Sequence, residues 1–386
     1  MRAPSRFARA CTCVAVAAVI GGCSTAQSTS STISGTNLTI YASGSSSAPD
    51  VVAAEKLALQ QNGDTIGKYH ITFKSLPAAD TIKQVADNAR TAVSNSSTVA
   101  YLGEVVPGMS EQSVPITNEL GILEVSPTDN ALELTSPSPV VSGSQNTFYP
   151  SRSTYGYTFG RIVPSSRVEA ADLVTETKSL GVTKLYVAND GSDYGQAIAH
   201  AVKVDAGSGL SAVAGPPSAS SVSSAGADAV FYGGTSASAA AAFFNAVATS
   251  VPKAKLFAPS ALDNDAFATA LSSAAAPNVY VSAPGFLHSQ LSSEGLAFES
   301  AFTTAYGHAP AQNAIFGFMA MRAVLDAIRN AGAAADNRTD VANDFFALNL
   351  SDTVVGSLKI TKDGDSSLTA IVFSRVRGGK LAPFKS

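Results

Sequence analysis

The sequence predicts an α/β protein of two doubly wound parallel-sheet lobes joined by a hinge, with a ligand cleft between them. Three observations carry this expectation. Between Leu38 and Val125, short apolar runs that stop at Gly, Ser or Pro alternate with stretches of helical spacing. A second series of the same kind begins after Arg161-Ile162-Val163-Pro164 and reaches Pro284-Gly285. The crossings between the two series are short, a geometry that suits hinge closure on a small ligand.

In the first series, Leu38–Ala42 reads as a strand that enters a Gly/Ser loop, Ser43–Ser47. Pro49 and Asp50 suit the first turn of a helix running to Gln61. Tyr69–Lys74 reads as a strand and Ala79–Val93 as a helix. The centre of the argument is Thr98–Asn130. Val99-Ala100-Tyr101-Leu102 has the size and composition of a buried strand and ends at Gly103. After Pro107-Gly108, helical spacing from Met109 to Leu120 stops at Gly121, and Ile122–Val125 opens a second strand ending at Ser126-Pro127. Loops leaving the carboxyl ends of parallel strands are where open α/β sheets bind ligands.

The second series reads as helix Arg167–Leu180, strand Lys184–Ala188, helix Tyr194–Asp205, strand Ala229–Tyr232, helix Ser236–Thr249 and strand Lys255–Ala258. Val279–Val281 is a further strand, broken at Pro284-Gly285. Helices follow at Glu294–Tyr306 and Asn313–Ala331, the latter with Ile315, Phe318, Met319, Leu325 and Ile328 on a core-facing side. Strands near Leu358–Thr361 and Leu368–Val376 flank Lys362-Asp363-Gly364-Asp365, a hairpin-type turn.

Arg2, Arg6 and Arg9 precede a short apolar segment, Cys13–Ile20, that is too short to span a bilayer permanently. Its end, Ile20-Gly21-Gly22-Cys23, resembles a bacterial lipobox, which implies cleavage before Cys23 and lipidation of that thiol. Cys11 and Cys13 leave with the signal peptide, so the exported part has neither a disulfide framework nor a thiolate zinc site. Ser24 to about Thr36 reads as a flexible tether. Charged residues are 14% of the chain and the net charge is −4, which gives no basis for nucleic-acid binding. The expected division is a signal peptide over 1–22, a tether over 23–36, one lobe from 37–163 with 286–361, and a second from 164–285 with 362–386.

Five strings stand in a fixed order: Tyr101-Leu102-Gly103-Glu104, Gly121-Ile122-Leu123 with Ser126-Pro127, Asn189-Asp190 with Tyr194-Gly195, Ala227–Val230 with Gly233-Gly234, and Lys362–Asp365. Together they resemble the type I periplasmic solute-binding proteins, specifically the branched-chain amino-acid receptors of ABC importers. The resemblance runs from Leu38 to the end. It implies an extracytoplasmic receptor, without cofactor, that closes on a small solute and presents it to a membrane permease.

The pocket departs from that pattern. By resemblance the ligand-binding positions are Ser45, Pro107, Gly108, Thr128, Asp129, Asn130, Tyr194, Thr235 and Ser260. Pro107 stands where a serine holds the ligand carboxylate, and Asn130 where a threonine contributes. Ser260 replaces the acid that pairs with the ligand ammonium, and Thr235 replaces a tyrosine; Tyr194 matches. A buried ammonium without a partner is costly, so a free α-amino acid is disfavoured and Ser260→Asp is expected to improve leucine binding. Asp129 is the counterweight, although it also reads as the N-cap of a helix over Ala131–Leu134, the reading favoured here. Two segments look short for the family: Ser43–Ser47, and Gly207–Ala225, where Gly, Pro, Ser and Ala stand in place of a helix.

Enzymatic readings are weaker. The sequence has no G-x-S-x-G, no G-x-x-x-x-G-K-[ST] and no G-x-G-x-x-G after a strand. His70, His200, His288 and His308 are scattered and make no metal-ligand spacing. Asp190 and Asp193 read as caps of the helix carrying Tyr194 rather than as an acid–base pair. The expectation is a monomeric, lipid-anchored solute receptor of an ABC importer with an altered pocket. The alternatives are a ligand sensor for a membrane signalling partner, or an interaction lipoprotein that has lost binding.

Overall fold

The structure is a computed structural model that describes residues 31–143, 147–207 and 209–385. The signal segment, Cys23 and the first part of the tether lie outside the described residues.

The first series builds β1 (Asn37–Ala42), α1 (Pro49–Asn62), β2 (Thr65–Ile66), β3 (Tyr69–Ser75), α2 (Ile82–Ser94), β4 (Thr98–Leu102), α3 (Ser110–Asn118), β5 (Leu123–Ser126), the short α4 (Arg152–Tyr155) and β6 (Phe159–Arg161). Its six-stranded sheet has the order β2-β3-β1-β4-β5-β6, parallel apart from the β2–β3 pair. Every residue of β4 and β5 is buried, as expected for strands covered on both faces. The strand order reverses between β1 and β4, so the loops after these two strands open a crevice at their carboxyl ends.

The second series builds α5 (Ser166–Ser179), β7 (Lys184–Asn189), α6 (Asp193–Ala206), β8 (Ser211–Ala214), α7 (Ala219–Ala225), β9 (Ala229–Gly233), α8 (Ala237–Ser250), β10 (Lys255–Ala258), α9 (Asp265–Ala270) and β11 (Val279–Pro284). After α10 (Ser293–Tyr306), α11 (Ala314–Ala331), α12 (Arg338–Phe346), β12 (Asn349–Thr353) and β13 (Gly356–Lys359), the chain returns as β14 (Ile371–Arg377) and β15 (Lys380–Lys385). The second sheet has the order β15-β14-β11-β10-β9-β7-β8. Its β7–β11 portion is parallel, and β14 and β15 add antiparallel at the edge.

Side-chain caps explain where several helices begin. Thr81 accepts the Gln84 N–H at 3.2 Å, Ser292 that of Gly295 at 3.0 Å and Asn264 that of Phe267 at 2.9 Å. On α11, Ile315, Phe316, Met319, Val324 and Ile328 join Ile40, Val99 and Leu123 in one core. Gly317 permits a close helix approach there, since a Cβ would lie 2.3 Å from the Val51 carbonyl oxygen of α1.

Four expectations need correction. The Gly207–Ala225 stretch does form regular structure, β8 and α7, because Val222 supplies a buried anchor that the Ser/Ala composition conceals. The strands flanking Lys362–Asp365 do not pair with each other: β13 pairs with β12, and β14 with β11. Across that turn the contacts are local, the Thr361 N–H to the Asp365 carbonyl (2.8 Å) and the Ser367 N–H to the Lys359 carbonyl (2.9 Å) about the bridge between Ile360 and Ser366. Ser192, not Asp190 or Asp193, caps α6, its Oγ accepting the Gly195 N–H at 3.0 Å. The end of the Ser/Thr-rich stretch is docked rather than free. Ile33 is buried in the core, its N–H bonds the Asp336 carbonyl at 2.7 Å, and Thr32 bridges to Asn337.

Candidate functional site

The loop after β4 is held by a dense set of buried hydrogen bonds. Tyr101 donates to Glu104 Oε1 at 2.5 Å and Ser43 donates to Oε2 at 2.8 Å. Asn88 in turn donates to Ser43 at 3.0 Å. Burial, only partly offset by those donors, pushes the Glu104 carboxyl up to about 8. Ser126 Oγ donates to the Glu104 carbonyl at 2.6 Å and Thr128 Oγ1 to the Val105 carbonyl at 2.5 Å, fastening the loops after β4 and β5 together.

Asp129 is fully buried at that junction. Its carboxylate accepts the N–H groups of Gly108 (2.8 Å), Ser110 (2.8 Å) and Ala131 (3.0 Å). It is not the N-cap expected from sequence: the helix that follows is a single 3₁₀ turn, Leu132–Leu134, whose N-cap is Ala131 with no side-chain cap bond. Beside it, burial and then the neighbouring Glu133 carboxyl push Glu111 up to about 10.

Asn130 connects the lobes. Its Nδ2 donates to Glu169 Oε2 at 2.6 Å and to Ser260 Oγ at 3.1 Å. Glu169, on α5, is buried and also accepts the Ser260 N–H (2.7 Å), the Ser260 hydroxyl (2.9 Å) and the Ser282 hydroxyl (2.7 Å). Burial raises this carboxyl. The Tyr194 hydroxyl lies 3.4 Å from Ser260 Oγ. Val114, Ala131 and Leu134 share one apolar cluster with Tyr194, Ile198 and Val202 of α6, so the two α/β series are in contact.

A cavity of about 500 Å³ opens beside this network, a size ordinary for small-molecule sites. One side comes from the loops after β1, β4, β5 and β6, with Ser47, Val105–Pro107, Thr128 and Val163. The other comes from Ser260, Ala261 and Asp263–Ala266 after β10, Ala283-Pro284 of β11, and Ser374, Leu381 and Pro383 of the C-terminal strands. Ala311, Gln312 and Asn313, just before α11, complete the wall.

Among the positions expected from sequence, Pro107, Thr128 and Ser260 stand on the wall. Ser45 lies behind it, donating to Asp80 at 2.7 Å. Asp129, Asn130 and Tyr194 form the buried layer described above, with half-buried Gly108 donating its N–H to Asp129. Thr235 lies at the strand-order reversal of the second sheet, its N–H held by Asp190 Oδ2 at 3.0 Å. Two acids were not legible. Glu169 reads as an ordinary helix glutamate, yet it occupies Ser260. Asp263 follows the 3₁₀ turn Ser260–Leu262 and reaches the wall; its place three residues beyond Ser260 was the available signal. Asp263 is open to water in the cavity but closed in by protein beyond it. That enclosure, then the charges of Glu169 and Asp265, push its carboxyl up to about 7.

Among the described residues no helix is long and apolar enough to cross a membrane, and no cluster could hold a metal ion. No curated protein matches the sequence. Solved structures of the same fold are similar over nearly their full length. The leucine-binding protein LivK of Thermotoga maritima shares 17% identity, with 90% of this chain and 97% of that one covered and a TM-score of 0.72. A substrate-binding protein of an ABC transporter from Desulfitobacterium hafniense, solved in complex with Leu, shares 18%, with 90% and 100% covered and a TM-score of 0.72. A solute-binding protein from R. palustris, in complex with benzoate, shares 16%, with 91% and 95% covered and a TM-score of 0.65. The sequence itself matches the family described as "Periplasmic binding protein" over residues 38–380. The chain belongs to that family of solute-binding proteins, in its type I form of two α/β lobes about a cleft.

Proposed function

We propose that the protein is the solute receptor of an ABC importer, held outside the cytoplasmic membrane by a lipid on Cys23 and working as a monomer. It closes around a small polar or amphipathic solute and delivers it to the permease. The observation that carries this reading is the cavity between the loops of the two sheets, at the carboxyl ends of β1, β4 and β10. Its wall supports a ligand other than leucine, isoleucine or valine. Pro107 lacks both a hydroxyl and an N–H, and Ser260 carries no charge. Ser45, Gly108, Asp129, Asn130, Tyr194 and Thr235 act in this reading by shaping that wall from behind.

A solute library screened by thermal shift, followed by scattering with the best binder, tests it. The expected result is a saturable binder that reduces the radius of gyration. A tight binder that leaves the radius and the interlobe distances unchanged refutes closure, and a library with no binder refutes the receptor role.

A further inference from the structure

We propose that the cleft recognises its solute through an ammonium group paired with Asp263, and that this solute has no carboxylate. The proposal rests on reading the cavity as the solute site and names the chemical class it takes. At Ser260, the resemblance leads one to expect an acid. The chain instead turns once, with the Asp263 N–H on the Ser260 carbonyl at 3.0 Å, and so brings a carboxylate to the same wall. Among the described residues, no hydrogen bond reaches the Asp263 side chain.

The wall carries carboxylates and no cation, and its unpartnered side-chain donor is a neutral amide, Gln312 Nε2. Asp263 and Asp265 are on it, and no Lys, Arg or His is. Several groups of the first sheet's loops that could grip a carboxylate are engaged elsewhere. The N–H groups of Gly108 and Ser110 are bonded to Asp129, and the Thr128 hydroxyl donates to the Val105 carbonyl. Pro107 has no N–H to give. A carboxylate here would lose its hydration, gain no cationic partner and face the carboxyls of Asp263 and Asp265. An ammonium gains Asp263 as a charge-assisted acceptor. No aromatic ring lines the cavity, while Val105, Val163, Ala283 and Leu381 do. That favours a primary or secondary amine on an aliphatic body over a quaternary ammonium, which calls for aromatic faces.

Calorimetry on the purified, processed protein tests this with three amines, 3-methylbutylamine, putrescine and ethanolamine, against 4-methylpentanoate, leucine and a neutral sugar set. At least one amine is expected to bind ten-fold or more tightly than any carboxylate. Asp263→Asn should weaken that amine at least ten-fold while leaving the melting temperature unchanged. Tighter binding of 4-methylpentanoate or leucine, or undiminished amine binding by Asp263→Asn, overturns the proposal. If a sugar or carboxylate binds and no amine does, the ammonium assignment falls and the receptor role stands. If nothing binds, both fall.

Discussion

Arg161 and Asp365 form an ion pair, Nε to Oδ1 at 3.1 Å, that ties the last residue of β6 to the turn through which the chain makes its final return to the second sheet. The guanidinium is wholly buried and also donates to the carbonyls of Asp129 (3.3 Å) and Ala131 (2.7 Å) and to Thr135 Oγ1 (3.0 Å). Gly364 makes the docking possible, with φ +94° and a Cβ position 2.2 Å from the Phe159 carbonyl oxygen. Removing one partner of a buried pair leaves an uncompensated charge. Asp365→Ala is therefore expected to cost about 3 kcal/mol in urea unfolding. A change within about 0.5 kcal/mol, typical of surface substitutions, would show that the pair does not hold this crossing.

Stability should fall as pH rises. Burial holds the Glu104 carboxyl up to about 8 in the folded state, whereas a free glutamate releases its proton at about 4.3. Between those limits the native protein binds a proton that the unfolded chain has released, so unfolding becomes easier with each step up in pH. Glu111 acts in the same direction. At about 1.4 kcal/mol per pH unit, a loss of a few kcal/mol is expected from pH 5 to pH 8. Glu104→Gln mimics the protonated form, its amide reaching Tyr101 and its carbonyl accepting from Ser43. The variant should match the parent at pH 5, exceed it at pH 8 and show a shallower profile. Parallel profiles would remove Glu104 from this role.

Leucine should bind weakly or not at all, with calorimetry showing no micromolar affinity. Losing a hydrogen bond to a charged group costs roughly 1.5–3 kcal/mol, before the ammonium penalty is added. The expectation for Ser260→Asp alone is revised by the structure. Its new carboxylate would face Glu169, which now accepts from both the N–H and the hydroxyl of Ser260. Only the pair Ser260→Asp with Glu169→Gln relieves that repulsion, and it should bind leucine at least ten-fold better than the parent. Equal gain from the single change would mean that Glu169 carries no charge there.

Cys23→Ala should abolish labelling by a radioactive or clickable fatty acid and release the protein from membranes. Retained labelling would defeat the lipid anchor.

The strand and helix alternation was legible because the strands are continuous apolar runs bounded by loop residues. β8, α7 and α12 were not. Ser211–Ala225 has little periodicity, and the short α12 buries Arg338 through hydrogen bonds from Nε to the Thr98 carbonyl (2.8 Å) and from Nη2 to the Ser96 carbonyl (2.9 Å), a tertiary partnership that no local pattern encodes. At the site, Pro107, Thr128 and Ser260 could be placed from their positions after strands. Glu169 could not, because its partners lie 39, 91 and 113 residues away in the chain. Resemblance marks Ser260 as a position where an acid is expected, but no local pattern shows that the turn after it brings Asp263 to the cavity wall.

The contact between Gly317 and the Val51 carbonyl sets an order of events for a chain that emerges N-terminus first. The first sheet is laid down early, yet the face of α1 stays uncovered until α11 has arrived, after the whole of the β7–β11 sheet. That second sheet in turn keeps the β11 edge open until β14 arrives near the end of the chain. The first lobe is therefore covered only after the parallel strands of the second sheet have been made, and the second lobe only once β14 has arrived. A truncation that removes only β14 and β15 would leave an unpaired edge, a template for aggregation far from the cleft itself.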